Sequence, residues 1–252
     1  FVGYKGVIKW VLYFIEQLNC MMATEVITVS TGMIKIFKKM FFVNPKIQLA
    51  YPGSACGLPE DYFINLKTMQ LIKNNAKQKN GYSNQTIFIF AGRAIERKGL
   101  LTVIKAFQNY NELYDDSILL LAGCSSNELL DRGISHSKII PLGFVDDMQT
   151  YYNMSDVVLL PSLHEGFGYS LLEGAAKGNA LISSDIPGPN DLVKNGITGF
   201  RVKAKSSTSL KDAMIKLTVK KDFLKKIQLS ARIHAEKYKR EIVIKNYLKI
   251  ID

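Results

Sequence analysis

Glu165 and Glu173 stand eight positions apart in the run His164-Glu165-Gly166-Phe167-Gly168-Tyr169-Ser170-Leu171-Leu172-Glu173. Carboxylates accept hydrogen bonds from paired hydroxyls, so such a pair suits a polyhydroxy ligand. Gly166 and Gly168 let the backbone come close to that ligand, and the free N–H groups opening a helix attract an anion. Arg93 and Lys98, farther upstream, can add fixed positive charge. Taken singly these features are ordinary: a lone Gly-x-Gly is usually a turn, and glutamates near a helix are usually a solvated face. The combination directly after an apolar strand is much rarer by chance.

The elements that must position these residues are legible from periodicity. Val157-Val158-Leu159-Leu160 reads as a buried strand stopped by Pro161, and residues 170–178 read as a helix closed by Gly178. The motif therefore sits on a strand–loop–helix corner, where open α/β sheets bind nucleotides. Apolar runs at 87–90, 118–122, 138–140, 157–160 and 180–182 predict five strands with helices between them, one helix covering 100–110. Alternating strands and helices imply an α/β fold with a Rossmann-like parallel sheet flanked by helices. Residues 1–50 read as helix, strand, helix, strand, with strands at 25–29 and 46–51 and Ser30 or Thr31 as a helix cap. Residues 52–57 are turn-rich, 65–85 hold one helix and a linker ending at Gly81, and 206–251 read as helices only.

The segment from Glu165 to Glu173 resembles the Glu-x7-Glu signature of retaining GT-B glycosyltransferases of family 4, the glycosyl transferases group 1. Gly92-Arg93 with Lys98-Gly99 resembles the family's phosphate-binding segment. Leu142-Gly143-Phe144-Val145-Asp146 resembles its base-binding turn. Ser184-Asp185-Ile186-Pro187-Gly188-Pro189 and Asn195-Gly196-Ile197-Thr198-Gly199-Phe200 match later landmarks. The resemblance runs from about Ala23 onward. Gly53-Ser54 and Gly57 stand where many members carry Asn-Gly, a variant resembling bacterial polysaccharide-assembly members.

The resemblance implies a GT-B fold and transfer of a sugar from a nucleotide-sugar donor, UDP-linked by expectation, to a glycan or lipid-linked acceptor, with retention. It implies that residues 58–238 form the donor-binding domain, that 1–57 are the end of an incomplete acceptor-side N-terminal domain plus crossover, and that 239–252 form a C-terminal helix. Glu173 is expected on the ribose and Glu165 on the hexose near the reacting carbon. Gly92, Gly166, Phe167 and Gly168 line the sugar and diphosphate through their backbones, Tyr169 and Ser170 offer N–H groups to phosphate, and Val145 lies near the base. Arg93 and Lys98 stabilise the leaving diphosphate. His164, after a buried strand and without an acid partner, is read as structural. No cofactor and no metal are implied; Asp156 and Asp185 form no Asp-x-Asp pair. The competing reading is a non-catalytic nucleotide-binding module using the same pocket.

Bulk properties bound these expectations. The 252 residues are 47% hydrophobic and 22% charged, ample for a globular core. Three cysteines and three histidines are scattered, which argues against a disulfide framework or a zinc cluster and fits a reducing cytoplasm. The net charge of +11 permits nucleic-acid binding, but no nucleic-acid motif accompanies it. It is read either as a lysine-rich solvated surface or as attraction to anionic headgroups at the inner face of a membrane. The apolar stretch at 10–15 is read as a helix buried against an absent domain rather than as an interfacial helix.

Because Arg93, Lys98 and the helix start supply positive potential unaided, UDP is expected to bind without divalent metal. Calorimetric titration of UDP, GDP and ADP in excess chelator checks this; binding that requires magnesium would contradict it.

Overall fold

The computed structural model describes residues 5–40 and 46–251. Two parallel sheets are present among them. The smaller pairs β1 (Glu25–Thr28) with β2 (Lys46–Leu49), preceded by α1 (Gly6–Met22) and separated by α2 (Thr31–Met40). After the turn-rich segment comes α3 (Leu66–Lys79). The larger sheet and its helices follow: β3 (Thr86–Ala91), α4 (Leu100–Asn111), β4 (Ser117–Ala122), α5 (Ser126–Leu130), β5 (Ile139–Gly143), α6 (Met148–Met154), β6 (Val157–Leu160), α7 (Tyr169–Ala176), β7 (Ala180–Ser184) and β8 (Gly199–Val202). Three helices close the chain: α8 (Ser207–Thr218), α9 (Lys221–Ala235) and α10 (Arg240–Ile251).

The larger sheet runs β5-β4-β3-β6-β7-β8, every pair parallel. This is the doubly wound order, and it reverses between β3 and β6. The strands are apolar throughout because both faces are covered. Phe88 and Phe90 pack with α4 and α8 on one side. Ile87 and Ile89 point the other way, into the layer that contains α6, α7 and α9. The expected alternation of elements is therefore observed, with two differences. The third strand extends to Gly143, and a sixth strand, β8, was not anticipated. β8 holds only four residues, Gly-Phe-Arg-Val, and pairs along β7 at the sheet edge. An edge strand with a partly buried arginine in its middle carries too short an apolar run to stand out by periodicity.

At the N-terminal ends of the strands a buried ionic cluster pins α3 to the sheet. Asp156 accepts from Lys77 Nζ at 2.5 Å and from the Ile87 N–H at 2.9 Å, with Lys73 Nζ 3.7 Å from its other oxygen. Lys73 also donates to the carbonyl of Ser155. Burial pushes the Lys73 ammonium down to about 8 despite the neighbouring Asp156. Asp156 and Asp185 lie at opposite ends of neighbouring strands, so no single ion could bridge them.

The apolar helix α1 turns most of its large side chains outward in this chain. Val7, Trp10, Phe14 and Met22 are all exposed, and Cys20 is its buried residue.

Removing Asp156 would leave two largely buried lysines without a counter-charge, so Asp156→Ala should destabilise the fold by about 3–5 kcal/mol. Urea denaturation of the variant against the parent measures this; a loss under about 1 kcal/mol would show that the cluster is not a structural clamp.

Candidate active site

The reversal of strand order puts the ends of β3 and β6 side by side, and each end carries one half of the charged motif. Beyond β3 the chain runs through Gly92 and Arg93 into a single tight turn at Glu96–Lys98. It then enters α4 through Gly99, whose φ is +81°. Beyond β6 it runs through Pro161 and Ser162 to Glu165. The two loops are joined by a hydrogen bond from the Leu163 N–H to the Arg97 carbonyl, 2.9 Å. A Cβ on residue 99 would lie 2.4 Å from the Pro161 carbonyl oxygen, so only glycine allows this approach.

That approach brings Lys98 and Glu165 together across 67 positions. Lys98 Nζ lies 2.5 Å from Glu165 Oε1, and Ser162 Oγ donates to the same oxygen at 2.8 Å. The two charged side chains are only 19% and 13% exposed, so solvent screens the pair weakly. The aliphatic stem of Lys98 runs past Gly92, where an added Cβ would sit 3.7 Å from it. Glu165 Oε2 has no hydrogen-bond partner among the described residues and stays available as an acceptor. Arg93 is exposed, with no ion pair among the described residues.

After Glu165 the chain passes through Gly166 and Phe167 to Gly168, whose φ of +100° turns it into α7. The N–H groups of Leu171 and Leu172 bond to the Gly168 carbonyl. Those of Tyr169 and Ser170 take no acceptor among the described residues, and no side chain caps the helix. An uncapped helix start of this kind favours an anion. Phe167 itself is buried against Tyr169 and Tyr238, so only its backbone faces the loop.

Glu173 lies one turn into α7, largely withdrawn from solvent. The hydroxyl of Tyr152, a fully buried residue on α6, donates to its Oε2 at 3.1 Å. Burial raises the Glu173 pKa, and the Tyr152 hydrogen bond lowers it in part. Val145 is half-buried just past β5. It is linked to the loops indirectly: Gly143 bonds to Gly123 at 2.7 Å, and a Cβ at 123 would meet the Gly92 carbonyl at 2.5 Å. The structure thus brings Lys98, Ser162 and Glu165 into direct contact, with Gly92 beside the stem of Lys98. Glu173, Tyr169 and Ser170 follow on one helix, and Val145 lies two strands out.

Three features escaped the sequence reading. Ser162 had a local signal, since it directly follows the proline that ends β6. Tyr152 had none, because its contact with Glu173 depends on how α6 packs on α7. The side chain of Tyr169 turns away from the loop to the crossover segment, 2.6 Å from Ser54 Oγ and accepting the Cys56 N–H at 3.0 Å. His164 is exposed.

The N-terminal unit closes over this region. Val29 lies 3.5 Å from where a Cβ on Gly166 would be, and Gly32 packs on Pro187 and Gly188 so tightly that a Cβ there would lie 2.6 Å from Pro187. Asp191 caps α2 by accepting the Thr31 N–H at 2.7 Å. From the other end of the chain α10 returns to the same segment, where Asn246 donates to the Tyr51 carbonyl and Tyr247 to that of Ser54.

The chain is similar to several known glycosyltransferases. The capsular polysaccharide biosynthesis glycosyltransferase CapM of Staphylococcus aureus is 26% identical over 222 residues, 84% of this chain and 57% of that protein. The N,N'-diacetylbacillosaminyl-diphospho-undecaprenol alpha-1,3-N-acetylgalactosaminyltransferase of Campylobacter jejuni is 27% identical over 202 residues, 75% of this chain and 52% of that protein. The chain therefore spans little more than half the length of these relatives. The Anabaena protein HepE, solved with UDP and glucose, superposes with a TM-score of 0.76 at 16% identity, covering 93% of this chain and 67% of HepE. The fold is accordingly of GT-B type. The family described as glycosyl transferases group 1 matches residues 72–236, more than half of the sequence and the whole of the doubly wound sheet, so the chain belongs to that family.

Proposed function

We propose that this chain is the donor-binding half of a retaining glycosyltransferase of family 4. It would move a sugar from a nucleotide donor, UDP-linked, to a glycan or lipid-linked acceptor. The observation that carries this reading is the Lys98–Glu165–Ser162 cluster at the switch point of the sheet, beside an uncapped helix start. Cleaving a sugar–phosphate bond leaves negative charge on the diphosphate and positive charge at the ring carbon. Arg93 and the Tyr169 and Ser170 N–H groups take the first, and Glu165 faces the second. Lys98 has three donors and can hold Glu165 and a phosphate oxygen together. Glu173 takes the ribose hydroxyls, and Val145 lies at the base.

Residues 58–238 then form the donor domain, 1–57 belong to the acceptor side, and α10 ties the two. Polysaccharide assembly is supported by the name of the Staphylococcus relative, and a lipid-linked acceptor bearing a diphosphate by that of the Campylobacter relative. Cys20, Cys56 and Cys124 are unpaired, which fits the cytoplasmic side. No helix among the described residues is long and apolar enough to cross a membrane, and the net charge of +11 favours peripheral contact with an anionic surface. No observation favours the non-catalytic module.

Glu165→Gln keeps the shape and removes the charge. In the full-length protein turnover should fall by about 100-fold or more, while UDP affinity changes by less than about threefold. Turnover and UDP titration measured on the same preparations check this. Equal losses in both would reduce Glu165 to a general pocket residue.

Glu173→Gln should weaken UDP by about 1–3 kcal/mol and cost a 2′,3′-dideoxy analogue far less. It should also stabilise the protein at neutral pH. Because the folded pKa of Glu173 is raised, the protonated form's stabilising contribution is complete below the ordinary carboxyl range. It is lost as pH rises through the raised value. The variant's advantage in melting temperature should therefore be present at pH 7 and vanish in acid. A variant less stable than the parent at pH 7 would contradict the role of burial.

A further inference from the structure

We infer that a second pocket, beside the catalytic loops, seats a phosphate group carried by the acceptor. The inference rests on the transferase reading above and adds a site to it. The pocket, about 300 Å³, lies between α2 and the turn after β7. Lys35 and Lys39 line one wall from α2, one helical turn apart, with Ile36 between them. Pro187 and Asn190 line the other. Its place next to the reaction is set by backbone contact: Gly32 packs on Pro187 and Gly188, and a Cβ on Gly188 would lie 2.6 Å from the Glu165 carbonyl.

Two independent features point to the ligand. Lys35 and Lys39 are exposed lysines without an ion-pair partner among the described residues. The carboxylates nearby are already engaged. Asp191 is held by Thr31, and Asp185 by Arg201 at 3.3 Å and by the Asn190 amide at 2.8 Å. The pocket thus has net positive charge to offer an anion. The second feature is Asn190. Its amide nitrogen is committed to Asp185, and its Oδ1 is buried with no partner. The Oδ1 is closed to solvent in this arrangement, so a ligand hydroxyl reaches it only when the Asn190 side chain turns toward the pocket, which relieves the unpaired acceptor. A phosphate next to a sugar hydroxyl satisfies both walls, with Ile36 and Pro187 against the sugar's apolar face. Phosphate on a lysine pair is a point-charge arrangement that needs no metal.

The test uses the full-length protein with N-acetylglucosamine 1-phosphate as probe, titrated with and without saturating UDP and compared with N-acetylglucosamine. Lys35→Ala/Lys39→Ala changes exposed side chains and should leave UDP affinity within about twofold. It should weaken the probe by about tenfold or more, and the unphosphorylated sugar should bind the parent no better than the variant. Asn190→Leu should weaken the probe without altering UDP. Farnesyl diphosphate in a parallel titration separates the sources: lysine-dependent binding tighter than the sugar phosphate's assigns the site to a prenyl-linked acceptor, and weaker binding to a soluble one. A probe that fails to bind the parent at millimolar concentration, that is displaced by UDP, or that ignores the lysine substitutions overturns the inference. Failure of the parent to bind UDP overturns the donor-site reading instead, and the probe arm without UDP still decides the pocket.

Discussion

Residue 99 can be only glycine because the carbonyl oxygen of Pro161 stands 2.4 Å from where a Cβ would be. The approach it permits governs the site. With the β3 and β6 loops in contact, the Leu163 N–H reaches the Arg97 carbonyl, and Lys98 is delivered to Glu165 from the opposite loop. A larger residue at 99 would push the loops apart and separate the charge pair. Neither charged side chain has another ionic partner among the described residues, so each fixes the other's position. The site is in this sense pre-organised by backbone contact, and the ion pair reports that contact.

The same logic recurs at the neighbouring loops. Gly123 packs on the Gly92 carbonyl, and Gly188 packs on the Glu165 carbonyl, each with positive φ. Two strand-end loops, those after β4 and β7, are therefore stacked on the two that carry the charges. The stack is covered by Val29 and Gly32 of the N-terminal unit. Tyr169 extends the closure, since its hydroxyl bonds to Ser54 and Cys56 while its N–H stays open at the helix start. One residue thus joins the crossover segment to the uncapped start of α7. Movement of the crossover would be felt directly at that helix start.

Electrostatic roles divide by depth. Asp156 with Lys73 and Lys77 is buried at the far end of the strands and holds α3 in place. Lys98 with Glu165 lies half-withdrawn at the near end, with one carboxylate oxygen still open. Arg93 is exposed and Glu173 is shielded. Ionisation of Glu173 is therefore opposed by its surroundings, with only the Tyr152 hydroxyl set against the cost of burial.

Much of this was legible in the sequence. The runs at 87–90, 118–122, 157–160 and 180–182 are apolar because parallel strands are covered on both faces, so their existence and order followed directly. Glu165, Glu173, Arg93 and Lys98 stood out because glycines and strand ends surround them. Local pattern could not supply what depends on side chains distant in sequence. β8 was missed because an edge strand of four residues has no long apolar run. Tyr152 beneath Glu173, Asp191 on α2 and the orphaned Asn190 oxygen were invisible for the same reason. The residue types and spacing determined which groups can do chemistry and on which elements they ride. The order of strands in the sheet, and the glycine contacts that its reversal permits, decided which of those groups meet, because parallel strands pair by packing and crossover rather than by nearness along the chain.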